Sequence, residues 1–89
     1  MKILPLTNAL LLLKNKKEAN EFLSDLCTPA ELKALNERWL VAQTLNDNKL
    51  SYREIAEELQ TRTTTVTRVA RFLSSETNNG YRKILMRIK

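Results

Sequence analysis

The sequence predicts an all-α chain of about six short helices with a helix-turn-helix in its second half, and three observations carry that prediction. Leu, Ala, Glu, Lys and Arg dominate, against one Gly, two Pro, one Trp, two Tyr and two Phe in 89 residues, a balance that favours helices over strands. Apolar residues recur three and four positions apart through most of the chain, which is the spacing of one helix face. Thr28-Pro29-Ala30-Glu31 and Ser51-Tyr52-Arg53-Glu54 each pair a hydroxyl with a glutamate three residues on, the capping box that opens a helix. A chain of this length is expected to form one small domain, residues 1–89, with a limited core, so a subunit contact is expected as well.

The elements follow in order. Pro5 can open a first helix carrying Leu6, Ala9, Leu10 and Leu13 at helical spacing. A second runs from about Lys17 to Leu26, with Ala19, Phe22, Leu23 and Leu26 on one face. The third starts at the Thr28 cap and runs to about Leu45. Its apolar face of Leu32, Leu35, Trp39 and Ala42 is widened by Leu40 and Val41, as though buried on more than one side. Asn46-Asp47-Asn48 is turn chemistry, and the Ser51 box starts a fourth helix whose Ile55, Ala56 and Leu59 face inward. Around Gln60-Thr61, with Thr61 as the expected cap, a fifth begins with Val66, Val69, Ala70 and Leu73 inward. After a turn from Ser74 to Gly80, Tyr81, Ile84, Leu85 and Ile88 close the chain in a basic amphipathic helix.

Charge divides the chain unevenly. Residues 1–50 carry seven Lys/Arg against six Asp/Glu, whereas residues 51–89 carry eight against four. From Arg62 onward, Arg62, Arg68, Arg71, Arg82, Lys83, Arg87 and Lys89 face Glu76 alone, the electrostatic footprint of a polyanion-binding surface. Without His and with Cys27 as the only thiol, neither a zinc site nor an internal disulfide is expected. A reducing cytoplasm fits this usage. Lys2 followed by the apolar run from Ile3 to Leu13 imitates a signal peptide, but Thr7 and Asn8 interrupt it and no small-residue cleavage site follows. The run is too short to span a bilayer, so no membrane role is expected.

Residues 51–73 have the apolar spacing of a helix-turn-helix. Ala56 permits close approach of the two helices, and Val66 and Val69 pack back onto Ile55 and Leu59. At about 100° per residue, the inward set leaves Thr64, Thr67, Arg68 and Arg71 on the outer side, with Arg62 and Thr63 at the start of the helix. A helix so presented enters the major groove with its N-terminal residues against base edges. Arg62, Thr63, Thr64 and Thr67 are the candidate base readers; Tyr52, Arg53, Arg68 and Arg71 are the candidate phosphate contacts. Gln60 stands in the turn position often held by Gly, where a left-handed side chain costs about 1 kcal/mol.

LCTPAELKALNERW (26–39), LSYREIAEEL (50–59) and TTTVTR (63–68) resemble the Trp repressor family in order and separation, over about residues 20–89. The resemblance implies an intertwined homodimer in which the first helices and the long third helix interlock with the partner's. Two recognition helices would then reach successive major grooves of double-stranded DNA at a palindromic operator. It also implies an L-tryptophan pocket, or one for another small effector, at Thr28, Arg38, Thr65 and Arg68. Val69 adds methyl groups where the family has a glycine beside that ligand.

These readings lead to a sequence-specific transcriptional regulator, a repressor by resemblance. The alternative is a helical adaptor that binds an acidic protein through its basic C-terminal face. An enzyme is excluded as an expectation, because there is no His, no paired carboxylates and no phosphate-cradling Gly loop. Trp39 at helical spacing with Leu35 reads as a core residue, and Cys27 as a buried thiol without chemistry.

Overall fold

The computed structural model describes residues 1–88. Lys89, the last cation counted above, lies outside them. The chain divides into two compact units, the first Met1–Leu32 and the second from Lys33 onward. Six helices are present among the described residues: α1 Leu6–Leu10, α2 Lys16–Leu26, α3 Pro29–Asp47, α4 Tyr52–Glu58, α5 Thr63–Ser74 and α6 Gly80–Arg87.

In the first unit, Pro5 caps α1 from outside, in extended conformation, instead of occupying its first helical position. α1 ends at Leu10, so Leu13, expected on its face, lies beyond it and is half-buried, and Leu11 and Leu12 between them are exposed. Asn15 supplies the start signal for α2, its side chain accepting from the Glu18 amide at 2.9 Å. The Thr28 capping box forms: Thr28 Oγ1 accepts from the Glu31 amide at 3.1 Å, and the Thr28 amide donates to Glu31 Oε1 at 2.8 Å. Cys27 is half-buried, not buried as its residue type suggested, because it sits past the end of α2 as the extended C-cap. Neither α1 nor α2 contains a buried residue.

The second unit holds the core. Val41, Ala42, Ile55, Ala56, Val66 and Val69 form one cluster, with Trp39, Leu45, Leu50, Leu59 and Tyr81 packed against it. Of the inward residues expected of α4 and α5, Ile55, Ala56, Val66, Val69 and Ala70 are buried, each Val or Ile contributing roughly 1.5–3 kcal/mol, whereas Leu59 and Leu73 are half-buried. Leu35 and Leu40, also on α3, remain exposed. α3 continues to Asp47 before Asn48 turns with φ 56°. The second capping box forms as well, with Ser51 Oγ accepting from the Glu54 amide at 3.2 Å and the Ser51 amide donating to Glu54 Oε1 at 2.8 Å.

At the turn between α4 and α5 the helix cap departs from the one that residue type predicts. Gln60 adopts φ 53°, the Thr61 amide donates to the Ala56 carbonyl at 2.9 Å and the Gln60 amide to the Glu57 carbonyl at 3.3 Å. This pair of bonds around a left-handed residue is the Schellman termination, and it uses Thr61 to finish α4. The N-cap of α5 is consequently Arg62, which makes no side-chain cap bond, and not Thr61. The Thr61 hydroxyl instead donates to Glu37 Oε2 at 3.3 Å, tying the turn to α3. After α5, Asn79 with φ 63° introduces α6, which ends at Arg87, so Ile88 is its extended C-cap.

Candidate nucleic-acid interface

α5 carries a division between its two sides. Val66, Val69 and Ala70 are buried, whereas Arg62, Thr63, Thr64, Thr67, Arg68 and Arg71 are all exposed. Tyr52 and Arg53 are exposed in the first turn of α4, ahead of the same helical hairpin. The first turn of α5 contains no acidic residue, so nothing there opposes a phosphate approaching the positive end of that helix's dipole. The Thr67 hydroxyl donates to the Thr63 carbonyl at 3.0 Å. Its oxygen lone pairs and its methyl group remain for a partner, whereas the hydroxyls of Thr63 and Thr64 enter no hydrogen bond among the described residues.

Two of the exposed arginines lie over one aromatic ring. The Arg68 guanidinium carbon lies 4.6 Å from the Phe72 ring centroid and that of Arg71 lies 5.0 Å from it. Arg71 Nε also stands 3.9 Å from Glu76 Oε2. By its angular position Phe72 lies with Thr65 and Arg68 along a side of the helix distinct from the base-facing edge, and its place four residues after Arg68 is the spacing that brings two helical side chains together.

The effector candidates fall in both units, Thr28 in the first and Arg38, Thr65 and Arg68 in the second. Thr65 and Arg38 are half-buried, while the Thr28 hydroxyl is engaged in its own helix cap. Val69, at 1% exposure, belongs to the core cluster. A half-open cleft of about 630 Å³ does exist in the second unit, lined by Trp39 of α3, Arg68 and Phe72 of α5, Asn78 of the following turn, and Gly80, Tyr81 and Ile84 of α6. Of the expected pocket residues only Arg68 lines it. Trp39 stacks on Tyr81 with centroids 6.3 Å apart and planes at 18°, so the indole both packs on the core and forms a wall of the cleft. Tyr81 was read from its spacing only as an inward residue of the last helix.

The carboxyls of Glu31 and Glu54 lie below their ordinary value of 4.5, chiefly because the backbone amide of each cap residue donates to them and secondarily through hydrogen bonding with the cap side chain. Both are structural groups at helix starts. Among the described residues no group of His, Cys, Asp and Glu is placed to hold a metal ion, and no helix is long and apolar enough to cross a membrane.

Comparison with known proteins agrees with this architecture. Residues 2–89 match the Trp repressor protein family. Uncharacterized protein YerC of Bacillus subtilis is 37% identical over 84 residues, covering 94% of this chain and 79% of YerC. The crystal structure of a TrpR-like protein from Eubacterium eligens superposes with a TM-score of 0.86 at 37% identity, covering 93% of this chain and 84% of that one. A Trp repressor candidate from Staphylococcus aureus gives 0.84 at 36% identity, with 93% and 81% covered. The six-helix all-α arrangement is thus the TrpR-like fold, and the chain belongs to the Trp repressor family, a family of regulators and not of enzymes.

Proposed function

We propose that this protein is a sequence-specific DNA-binding transcriptional regulator, acting as a homodimeric repressor whose α5 enters the major groove. The observation that carries the reading is the two-sided α5: three threonines and three arginines are exposed at or along it, while Val66, Val69 and Ala70 anchor its other side. Thr63, Thr64, Thr67 and Arg62 read base edges, and Tyr52, Arg53, Arg68 and Arg71 engage phosphates. Exposed Leu6, Leu10, Leu26, Leu35 and Leu40 supply apolar surface for a second copy. In the cell such a dimer would occupy operator DNA in the cytoplasm.

Selection of bound sites from random duplex DNA, with and without L-tryptophan, tests the reading. Enrichment of two inverted half-sites is the expected result; duplex binding no stronger than binding to an unrelated polyanion would favour the adaptor. Within the selected site, Thr64→Ala should relax base preference. Arg71→Ala should weaken binding to every sequence and lower the salt slope by about two per dimer.

One observation favours a small effector as a second component. The cleft formed by Trp39, Phe72, Tyr81 and Arg68 offers aromatic faces beside a cation, chemistry suited to a planar aromatic anion such as L-tryptophan. The packing of Val69 into the core weighs against the pocket at Thr28, Arg38, Thr65 and Arg68. Site selection unchanged by L-tryptophan would remove it as the corepressor and leave DNA binding standing.

A further inference from the structure

Phe72 is the feature of α5 that base and phosphate contacts leave unexplained. It sits on the recognition helix, half-buried, and two guanidinium groups lie within 5.0 Å of its ring centroid. Resting on the DNA-binding reading, we infer that Phe72 is a positioning residue that holds Arg68 and Arg71 as a preformed pair for the phosphate backbone.

The geometry suits this role because a guanidinium has two separable surfaces. Its face can stack on an aromatic ring while its edge, with five N–H donors in a fixed fork, stays free for phosphate oxygens. Arg68 takes part in no ion pair among the described residues, so its edge is available. Arg71 meets Glu76 at 3.9 Å, an exposed contact that a doubly bridging phosphate readily replaces. An unsupported arginine on a helix surface loses much of its rotamer freedom when it grips a phosphate. The ring pays that ordering cost before DNA arrives. Leu in place of Phe72 would keep an apolar side chain in the cleft wall but would offer no π face.

The test uses the full-length chain and a mixed-sequence duplex, with binding followed by fluorescence anisotropy and folding by circular dichroism. Phe72→Leu should lower affinity by about three- to tenfold, and Phe72→Tyr should restore it. Arg68→Ala should cost less in the Phe72→Leu background than in the wild type, since an arginine that is no longer pre-placed has less to lose. A merely structural role for the ring would leave that cost unchanged. In the wild-type protein, NMR should find the side-chain protons of Arg68 and Arg71 shifted upfield by the ring, a readout that survives even if Phe72→Leu fails to fold. Equal cost of Arg68→Ala in the two backgrounds, or no ring-current shift, overturns the platform. Absence of duplex binding by the wild type overturns the DNA-binding reading itself, a distinct outcome.

Discussion

Replacing Gln60 with Gly should stabilise the protein. Gln60 is exposed, adopts φ 53° and terminates α4 through the bonds that Thr61 and Gln60 donate to Ala56 and Glu57. A side chain with a Cβ costs about 1–2 kcal/mol in this left-handed region, and glycine removes that cost. Against it stands the greater freedom of glycine in the unfolded chain, about 0.4–1 kcal/mol. The difference is a net gain of roughly 0.5–1 kcal/mol, which for a domain of this size is a rise in melting temperature of about 2–8 °C. Urea unfolding followed by far-ultraviolet circular dichroism should show a higher midpoint with an unchanged slope. All variants must be compared at one protein concentration, because association into the proposed homodimer would make the midpoint concentration-dependent. Gln60→Ala is the control, since it keeps the Cβ and should gain nothing from the turn. If Gln60→Gly were no more stable than Gln60→Ala, left-handed strain would not be the relevant energy at this turn.

Val66 is fully buried beside Ile55 and Val69, so Val66→Ala should destabilise by about 1.5–3 kcal/mol in the same urea assay; a loss below about 0.5 kcal/mol would mean that the site collapses around the change. The Glu54 carboxyl is held below 4.5 by the Ser51 amide. Its contribution is therefore complete above the unfolded-state value and disappears as the pH falls through the lower folded-state value. NMR titration should find its midpoint below 4.5, and Glu54→Gln should flatten the acid limb of the stability profile. Glu76 is the only carboxylate from residue 62 onward and contacts Arg71. Glu76→Gln should tighten duplex binding a few-fold at low salt, and the gain should vanish at high salt; a gain independent of salt would contradict this origin.

The parts of the structure legible in the sequence are those fixed by local chemistry. Each capping box needs only residues within one turn, and both form where Thr28-Glu31 and Ser51-Glu54 stand. The buried residues of α4 and α5 follow from period alone, because those helices pack on one side. Where two local signals compete, the outcome depends on backbone geometry that composition does not encode. Thr61 has the residue type of a cap, yet the Schellman bonds of α4 take its amide and Glu37 takes its hydroxyl, so the cap falls to Arg62. Leu6, Ala9, Leu10 and Leu13 have helical spacing, but α1 forms only five residues and leaves Leu13 outside. The Phe72 platform was only half legible: the spacing brings Arg68 near, whereas the stacking of both arginines on one ring depends on rotamers.

The threonine-rich start of α5 is where these levels meet. Thr63-Thr64-Thr65-Val66-Thr67 is an unbroken β-branched run inside a helix, and at roughly 0.5 kcal/mol per residue relative to Ala it opposes helix formation by about 2–3 kcal/mol. Burial of Val66 and Val69 supplies about 3–6 kcal/mol when α5 docks on the core, enough to offset the run but only in the folded protein. α5 is therefore helical because it is packed, not because of its own preference, and an excised peptide spanning it should be largely unfolded. Packing accounts for Val66 on this face and for the half-buried Thr65. It does not account for the exposed Thr63, Thr64 and Thr67, where Ala or Lys would cost less. Hydroxyl and methyl groups repeated along an exposed edge, followed by two arginines over one ring, are what a surface needs to meet base edges and phosphates together, and under the proposed DNA-binding role that need is the reason to keep a poor helix former there.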